Sequence, residues 1–449
     1  MNLWVESRST LKLAFPLIIG QVSQMLLGVA DTVMLGKVGV TELAVLTFTN
    51  SLFYLPFVFG VGVLTAISVF TANARGAEDP SAGRASCRHG LQVSVVLGAI
   101  LTILFCCLTP FLGQFDQPPE VVARTPVFYL TIMASLLPAL MAMALKSHAD
   151  AMDRPWPAFW IFLGGVLLNI FLNWLLIYGH WGFPRMGLEG AGVATMTSRI
   201  LIVVAMFVWL ERSKVLADWV PHRWLRAPVG SEIKRFLGIG FPASIQMTCE
   251  VAAFSAAALL VGRFGEMAMA SHQIALMCAA TAFMVPLGLA VALSVRVGEA
   301  AGRSENSRLR AIAVSGWLIA GSWAAISATV FLGGGAFLAS LFNDNANVVA
   351  LAAKILVVVG VFQLVDSLQI ASSAMLRGLH ETRIPALIGF IAYWMVGIPV
   401  AIVLSSVLEW RTVGVWWGLA IGLTIACVTL CLRMWQKTAP FGAIQPDAP

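Results

Sequence analysis

Three carboxylates carry the chemistry that can be read from this chain. Asp31, Glu250 and Asp366 lie inside long apolar runs, whereas the other acids among the 22 fall in loops or at run ends. An ionised side chain deep in hydrocarbon costs roughly 2.5–3.5 kcal/mol even on lenient scales. It persists when it faces a polar cavity and holds a cation or a proton, and burial favours the neutral form of a carboxyl, which suits reversible protonation. Each acid taken singly could be a polar contact between helices; three together favour ion binding. Glu250 and Asp366 are expected to converge. In the first half of the chain, Asn169 and Asn173 are four apart and share one helix face. With Thr195, one run further on, and Asp31 they can form a polar cluster. Its plain alternative is interhelical hydrogen bonding as packing.

The elements that must position these groups are membrane spans. Of 449 residues, 59% are hydrophobic and only 11% charged, less than half the usual charged fraction of a soluble domain. Spans of about 20 apolar residues are expected over 11–35, 43–71, 91–113, 127–145, 158–178, 190–210, 236–262, 270–295, 311–341, 348–375, 384–407 and 412–432. With the N-terminus in the cytoplasm, 21 of the 28 basic residues fall on the cytoplasmic side and 5 outside. That bias orients the chain with both termini cytoplasmic. Glu6 and Arg8 precede the first run without a small-residue cleavage site, so that run is expected to stay as a helix. The net charge of +6 is explained by topology, and no nucleic-acid partner is expected. Seven scattered cysteines without a C-x-x-C form neither a disulfide framework nor a zinc site.

The chain repeats itself at an offset of 226. Residues 15–90 laid on 241–316 without a gap give 18 identities in 76 positions, among them Phe15/Phe241, Pro16/Pro242, Gly36/Gly262, Gly39/Gly265, Gly62/Gly288, Gly76/Gly302 and Arg84/Arg310. Further on, Asp153-Arg-Pro-Trp-Pro157 faces Glu381-Thr-Arg-Ile-Pro385. Six spans return the chain to its starting side, so the halves are parallel repeats, an architecture in which one half rocks against the other around a central site. The acids break the symmetry: Glu250 corresponds to Gln24, and Asp31 to Ala257. The expected organisation is a lobe over 1–210, a basic cytoplasmic linker over 211–235 and a lobe over 236–449. Six basic residues with Trp219 and Trp224 make the linker a candidate for a helix lying on the membrane surface.

Other features read as structural. Arg199, in mid-span, is either an ion-pair partner for a first-lobe acid or a structural group, and the structural reading is favoured. Trp410, Trp416 and Trp417 read as interface anchors. There is no G-x-x-x-x-G-K-[ST] for ATP and no H-E-x-x-H for zinc. His148 to Asp153 fits H-x-x-x-x-D, a weak signal without supporting sequence.

The chain resembles the multidrug and toxic compound extrusion (MATE) transporters, in the NorM-like branch, from about Leu11 to Leu432. The resemblance rests on Ala14-Phe-Pro16, Asp31-Thr-Val-Met-Leu-Gly36, Gly60-x-Gly62, Phe241-Pro242, Ala270-Ser-His-Gln-Ile-Ala275 and Arg377-Gly378, in order and in both halves. It implies an all-α membrane protein of twelve transmembrane helices in two parallel six-helix lobes. It implies a secondary active transporter, not an enzyme, that exports cationic or amphipathic compounds in exchange for Na+ or H+ and needs no other cofactor. Glu250 and Asp366 match the cation-site acids of the second lobe and would hold Na+ if the coupling ion is sodium. Asp31, Asn169, Asn173 and Thr195 match the first-lobe polar network. Some members place a tyrosine near the cation site in the eighth span; here that stretch reads Thr281-Ala-Phe283-Met, which leaves aromatic assistance to the ion without an evident source. The expected setting is a bacterial inner membrane, multi-pass, with small-molecule substrates, lipid as solvent and a monomeric state. A lipid-linked oligosaccharide flippase of related fold is the alternative; it calls for more cationic residues lining the cavity than Arg199. An integral-membrane transferase would need a paired acid or His site at the membrane surface.

Overall fold

A computed structural model describes residues 3–438. Residues 439–449 of the expected second lobe, and both chain ends whose side was inferred from charge, lie outside the described residues.

Among the described residues, twelve helices are long and apolar enough to cross a membrane: α1 Leu3–Gly36, α2 Val40–Gly76, α3 Pro80–Cys106, α4 Pro119–Ala151, α5 Pro155–Tyr178, α6 Leu188–Arg212, α7 Gly230–Gly262, α8 Glu266–Gly302, α9 Asn306–Ser340, α10 Ala346–Gly378, α11 Arg383–Val407 and α12 Arg411–Lys437. Each expected span falls on one of them. The helices outrun the apolar windows. α2 and α8 have 37 residues each, about 55 Å at ~1.5 Å per residue, nearly twice the ~30 Å hydrocarbon core. The surplus is polar, as in the Arg75-Gly76 end of α2. The third span is the exception at its far end: α3 stops at Cys106, and residues expected to continue it form a separate 3₁₀ turn at Thr109–Gln114. α4 breaks at Ser135 into Pro119–Ala134 and Leu136–Ala151.

Local chemistry sets the boundaries. Asp79 caps α3, its Oδ1 accepting from the Ser81 and Ala82 amides at 2.9 and 3.1 Å, with Pro80 in the first turn where its missing N–H costs nothing. These bonds, with the Ser81 hydroxyl first among them, hold the exposed Asp79 carboxyl below the usual carboxylate range. The turns repeat as the sequence does. Glu78 and Ser304, 226 apart, both adopt positive φ, at 53° and 58°. Asp153 and His380, the latter one residue ahead of its matched stretch, do the same at 59° and 63°.

Backbone contacts group the chain into two compact units, one of Ile19–Ser244 and one of Met1–Ile18 with Ile245–Pro449. Thus α1 and α7 each contribute to both, and the division points, 18 and 244, are again 226 apart. In the first unit α2 is central, with Val63, Leu64, Ala66 and Ile67 almost fully buried. A Cβ on Gly62 would lie 2.4 Å from the Ser244 Cα, and one on Gly240 would lie 2.3 Å from the Val63 carbonyl oxygen. In the second unit a Cβ on Gly288 would lie 2.7 Å from the Ile18 Cα. Gly62 and Gly288 are repeat equivalents, and so are Ser244 and Ile18, so one close helix crossing is built twice.

The second unit has two further anchors. Gly414, Gly418 and Gly422 follow a small-xxx-small spacing along α12. Cβ atoms there would meet Leu404, Ala401 and Ala392 at 2.7, 2.3 and 2.4 Å, so α11 lies directly on the α12 backbone. At the start of α1, the Glu6 carboxylate accepts from Arg296 and, at 3.0 Å, from Arg308 Nε. Arg296 Nη1 also donates to the Glu6 carbonyl at 2.6 Å. Glu6 and Arg296 are both only 6% exposed, and leaving one member of such a buried pair alone costs about 3–5 kcal/mol.

Two sequence readings change. Residues 213–229 form no surface helix; they run as turns with one short 3₁₀ segment, Ala217–Trp219. Trp219 instead lies across α3, where a Cβ on Gly83 would sit 2.5 Å from its ring. Trp416 is no interface anchor. It is fully buried among Phe254 and Phe362 and donates its Nε1 proton to His272 Nδ1 at 3.1 Å.

Candidate functional site

Each unit holds one polar site built from the first and fifth helices of its repeat, with further helices completing it. In the first unit Asp31, on α1, accepts from Asn173 Nδ2, on α5, at 2.6 Å. The same amide donates to Asn169 Oδ1 at 3.0 Å, one turn back, and Asn169 Nδ2 donates to Thr195 Oγ1, on α6, at 3.3 Å. The four expected residues therefore form one chain of hydrogen bonds. Asn169 and Asn173 are buried, at 1% and 0% exposure, while Asp31 at the end of the chain is half-buried. Tyr178 Oη donates to the Met34 carbonyl at 2.9 Å and fixes α5 against α1 beside the acid.

Arg199, also on α6, donates to Ser135 Oγ at 2.5 Å and sits 4.5 Å above the Phe53 ring. It uses the break in α4, where Ser135 separates the two helical segments. It also lies within charge–charge reach of Asp31. The structural role favoured for it stands, and it places a fixed positive charge in the neighbourhood of the first-unit acid as well.

In the second unit Tyr393, on α11, donates its hydroxyl proton to Glu250 Oε1, on α7, at 3.2 Å. Trp394 Nε1 donates to the carbonyl of Cys249 at 3.1 Å, so two successive aromatic residues hold the Glu250 segment. Asp366, on α10, is 3% exposed; its Oδ1 is buried without a hydrogen-bond partner, and the group lies within charge–charge reach of Glu250. Arg377, eleven residues along α10, also lies within charge–charge reach of Glu250. The structure thus draws Glu250 and Asp366 into one neighbourhood. Gln246 exchanges hydrogen bonds with Ser373 at 2.8 and 3.1 Å, and Gln363 donates to the Ala279 carbonyl at 3.1 Å.

Tyr393 and Arg377 are the site residues that sequence reasoning missed. The aromatic hydroxyl sought in the eighth span comes from the eleventh. One signal was available: the chain has only 4 tyrosines, and Tyr393 lies six residues before a mid-span proline, Pro399. Proline removes an amide donor and crowds the carbonyl four residues back. Ahead of it the helix widens to a π-helix over Ile391–Gly397, a form frequent at functional sites. That widening carries Tyr393.

Two carboxylates offset by one guanidinium leave a net single negative charge when both are ionised. An unpartnered, buried carboxylate oxygen beside that imbalance fits one small cation or one proton; a hard cation takes oxygen ligands of this kind. Twelve spans in two matched halves, each half with a buried polar site, make the architecture of a membrane transporter. The sequence model of the MatE family matches residues 16–175 and again 242–403, the second match beginning 226 residues after the first. The chain is 34% identical over 428 residues to a probable multidrug resistance protein NorM of Xylella fastidiosa, covering 95% of this chain and 91% of that one. It is 31% identical over 448 residues to the multidrug resistance protein PmpM of Pseudomonas aeruginosa, covering 98% and 94%. Among solved structures, the eukaryotic MATE transporter AtDTX14 superposes with a TM-score of 0.89 at 20% identity, over 97% of this chain and 98% of the other. The Vibrio cholerae MATE transporter VcmN, in its bent form, gives 0.87 at 18% identity, over 97% of this chain and 98% of the other. The chain belongs to the MatE family: it is a multi-pass membrane transporter with small-molecule substrates, not an enzyme.

Proposed function

We propose that this transporter is an antiporter of a bacterial inner membrane, with both termini in the cytoplasm, that exports cationic or amphipathic drugs and exchanges them for Na+ or H+. The observation that carries the coupling is the second-unit site, where Glu250 and Asp366 share a neighbourhood with one counter-charge, Arg377, and Asp366 Oδ1 has no partner. Glu250 and Asp366 would hold the ion, and binding one positive charge there neutralises the site. Tyr393 orients Glu250 through its hydroxyl, and Trp394 holds the backbone beside it. Asp31 is a second protonatable group, kept by Asn173 in a fixed orientation. The names of the relatives support drugs as the substrate class and do not favour a flippase.

The test is transport by purified protein in liposomes carrying a fluorescent cationic dye. An imposed inward Na+ or H+ gradient should drive dye against its own gradient, and ATP should not. Dye movement that requires ATP and ignores both gradients would overturn the antiporter reading.

A further inference from the structure

The first unit carries a strongly basic pocket remote in sequence from the acids. Its cavity is about 450 Å³, lined on one side by Ser81, Arg84 and Arg88 of α3 and on the other by His222, Arg223 and Arg226 of the segment after α6. Arg84 and Arg88 are four apart on one helix face, where like charges destabilise a helix, and Arg88 and Arg226 lie within mutual repulsion range. Among the described residues, no acidic side chain lines the cavity. Of the acids nearby, Asp79 caps α3 and Glu211 accepts from Trp224 Nε1. Arg88 Nε is buried without a partner, and Arg84 is aimed by a 2.6 Å bond from its Nη1 to the Asp218 carbonyl.

The pocket wall is fixed. Gln92 Nε2 donates to the Arg226 carbonyl at 2.7 Å, Trp219 lies against Gly83, and the Trp224 ring packs at a tilt on Phe207 with ring centroids 5.0 Å apart. Charges placed only to orient a chain in the membrane need no such framework. Planar guanidinium forks converging on one cavity match the paired oxygens of phosphate. Leu225, which lies in the chain between the pocket residues Arg223 and Arg226, is 99% exposed. An apolar projection beside a basic pocket is the arrangement that takes an acidic lipid headgroup at a membrane face.

We propose that this pocket is a binding site for a phosphorylated anion bearing at least two phosphate charges, a class that includes both the headgroup of an anionic phospholipid and a soluble diphosphate. Bound there, it neutralises the arginines and ties the segment after α6 to α3.

The experiment measures thermal unfolding of the full-length protein in neutral detergent, with cardiolipin, with phosphatidylcholine and with inorganic pyrophosphate. A ligand that binds only the folded state raises the midpoint. Cardiolipin should raise it by several degrees while phosphatidylcholine does not, and the triple variant Arg88→Gln/Arg223→Gln/Arg226→Gln should lose that gain. The variant Arg212→Gln/Lys214→Gln, which removes basic charge just outside the pocket, should keep it. A gain from pyrophosphate, equally lost in the triple variant, also supports the site and makes the occupant soluble. No gain from either anion, or a gain that survives the triple variant, overturns the proposal. Should the triple variant not fold, native mass spectrometry of Arg223→Gln, a change at an exposed side chain, decides instead: cardiolipin retained as on the unaltered protein overturns it.

Discussion

The two polar sites use the same pair of helices in their repeats but at different depths. Asp31 and Asn173 join α1 to α5; Glu250 and Tyr393 join α7 to α11. At the offset of 226, Glu250 corresponds to Gln24, seven residues before Asp31. Seven residues are close to two turns, which returns to the same helix face about 10 Å further along. At the offset of the second matched loop, Tyr393 corresponds to Gly165, eight residues before Asn173. Both partners have moved together along their helices, in the same direction. One inherited helix pair has therefore been given two chemistries. The first-unit acid, alone in its unit, accepts from the Asn173 amide on a regular helix, with Arg199 in its neighbourhood. The second-unit acids face a phenol, a guanidinium and each other, beside a helix widened ahead of a proline. The difference teaches that the scaffold fixes which helices meet, while single residues and local backbone geometry decide what the meeting point can bind.

Changing the second-unit acids is expected to have the largest effect. Glu250→Gln and Asp366→Asn keep shape and remove the exchangeable charge, so gradient-driven dye transport should fall to the level of liposomes without protein, with the protein still monodisperse in detergent. Wild-type rates from either variant would remove the second-unit site from the mechanism. Next comes Asp31→Asn, which imitates the protonated acid. Turnover should drop by more than about tenfold while substrate affinity stays within about threefold, the pattern of a lost switching step rather than lost binding. If Asp31→Asn transports normally across external pH 6 to 8, the first-unit site is packing alone and the comparison collapses to one working site. The smallest effects separate the two kinds of partner. Tyr393→Phe removes one hydrogen bond to a charged group, worth ~1.5 kcal/mol or about tenfold in rate at the low end of its range. Thr195→Val removes a long, neutral bond and should cost less than about threefold. Equal losses from the two would mean that the phenol has no special part.

The positions of all twelve spans were legible because hydrocarbon demands about 20 apolar residues in a row. Asp31, Glu250 and Asp366 were legible because a carboxylate is rare there. The Asn169–Asn173–Thr195 chain followed from helical spacing. Other features left weaker marks. Tyr393 is an apolar body with one polar atom and so reads like any other residue of an apolar run; its role depends on a widened helix whose register no periodicity encodes. Trp416 near a span end looks like an anchor until His272, from another helix, is found beside it. The basic segment after α6 has the composition of a surface helix, but Trp219 and Trp224 spend their rings on Gly83 and Phe207, and those tertiary contacts override its local preference.

The crossed membership of α1 and α7 bears on the order in which the protein can be made. The first unit is not finished when α6 leaves the ribosome, because Gly240 and Ser244 of α7 still have to close on Val63 and Gly62. Glu6 and Ile18, at the start of α1, wait for Gly288, Arg296 and Arg308 in the second half. A chain stopped at Arg212 would leave the small-residue face of α2 open in the bilayer, and a second half begun at Ile245 would lack the acid that its two arginines bind. Insertion can proceed span by span, but the first unit closes only once α7 is in the membrane, and the second closes on a start of α1 that is already there.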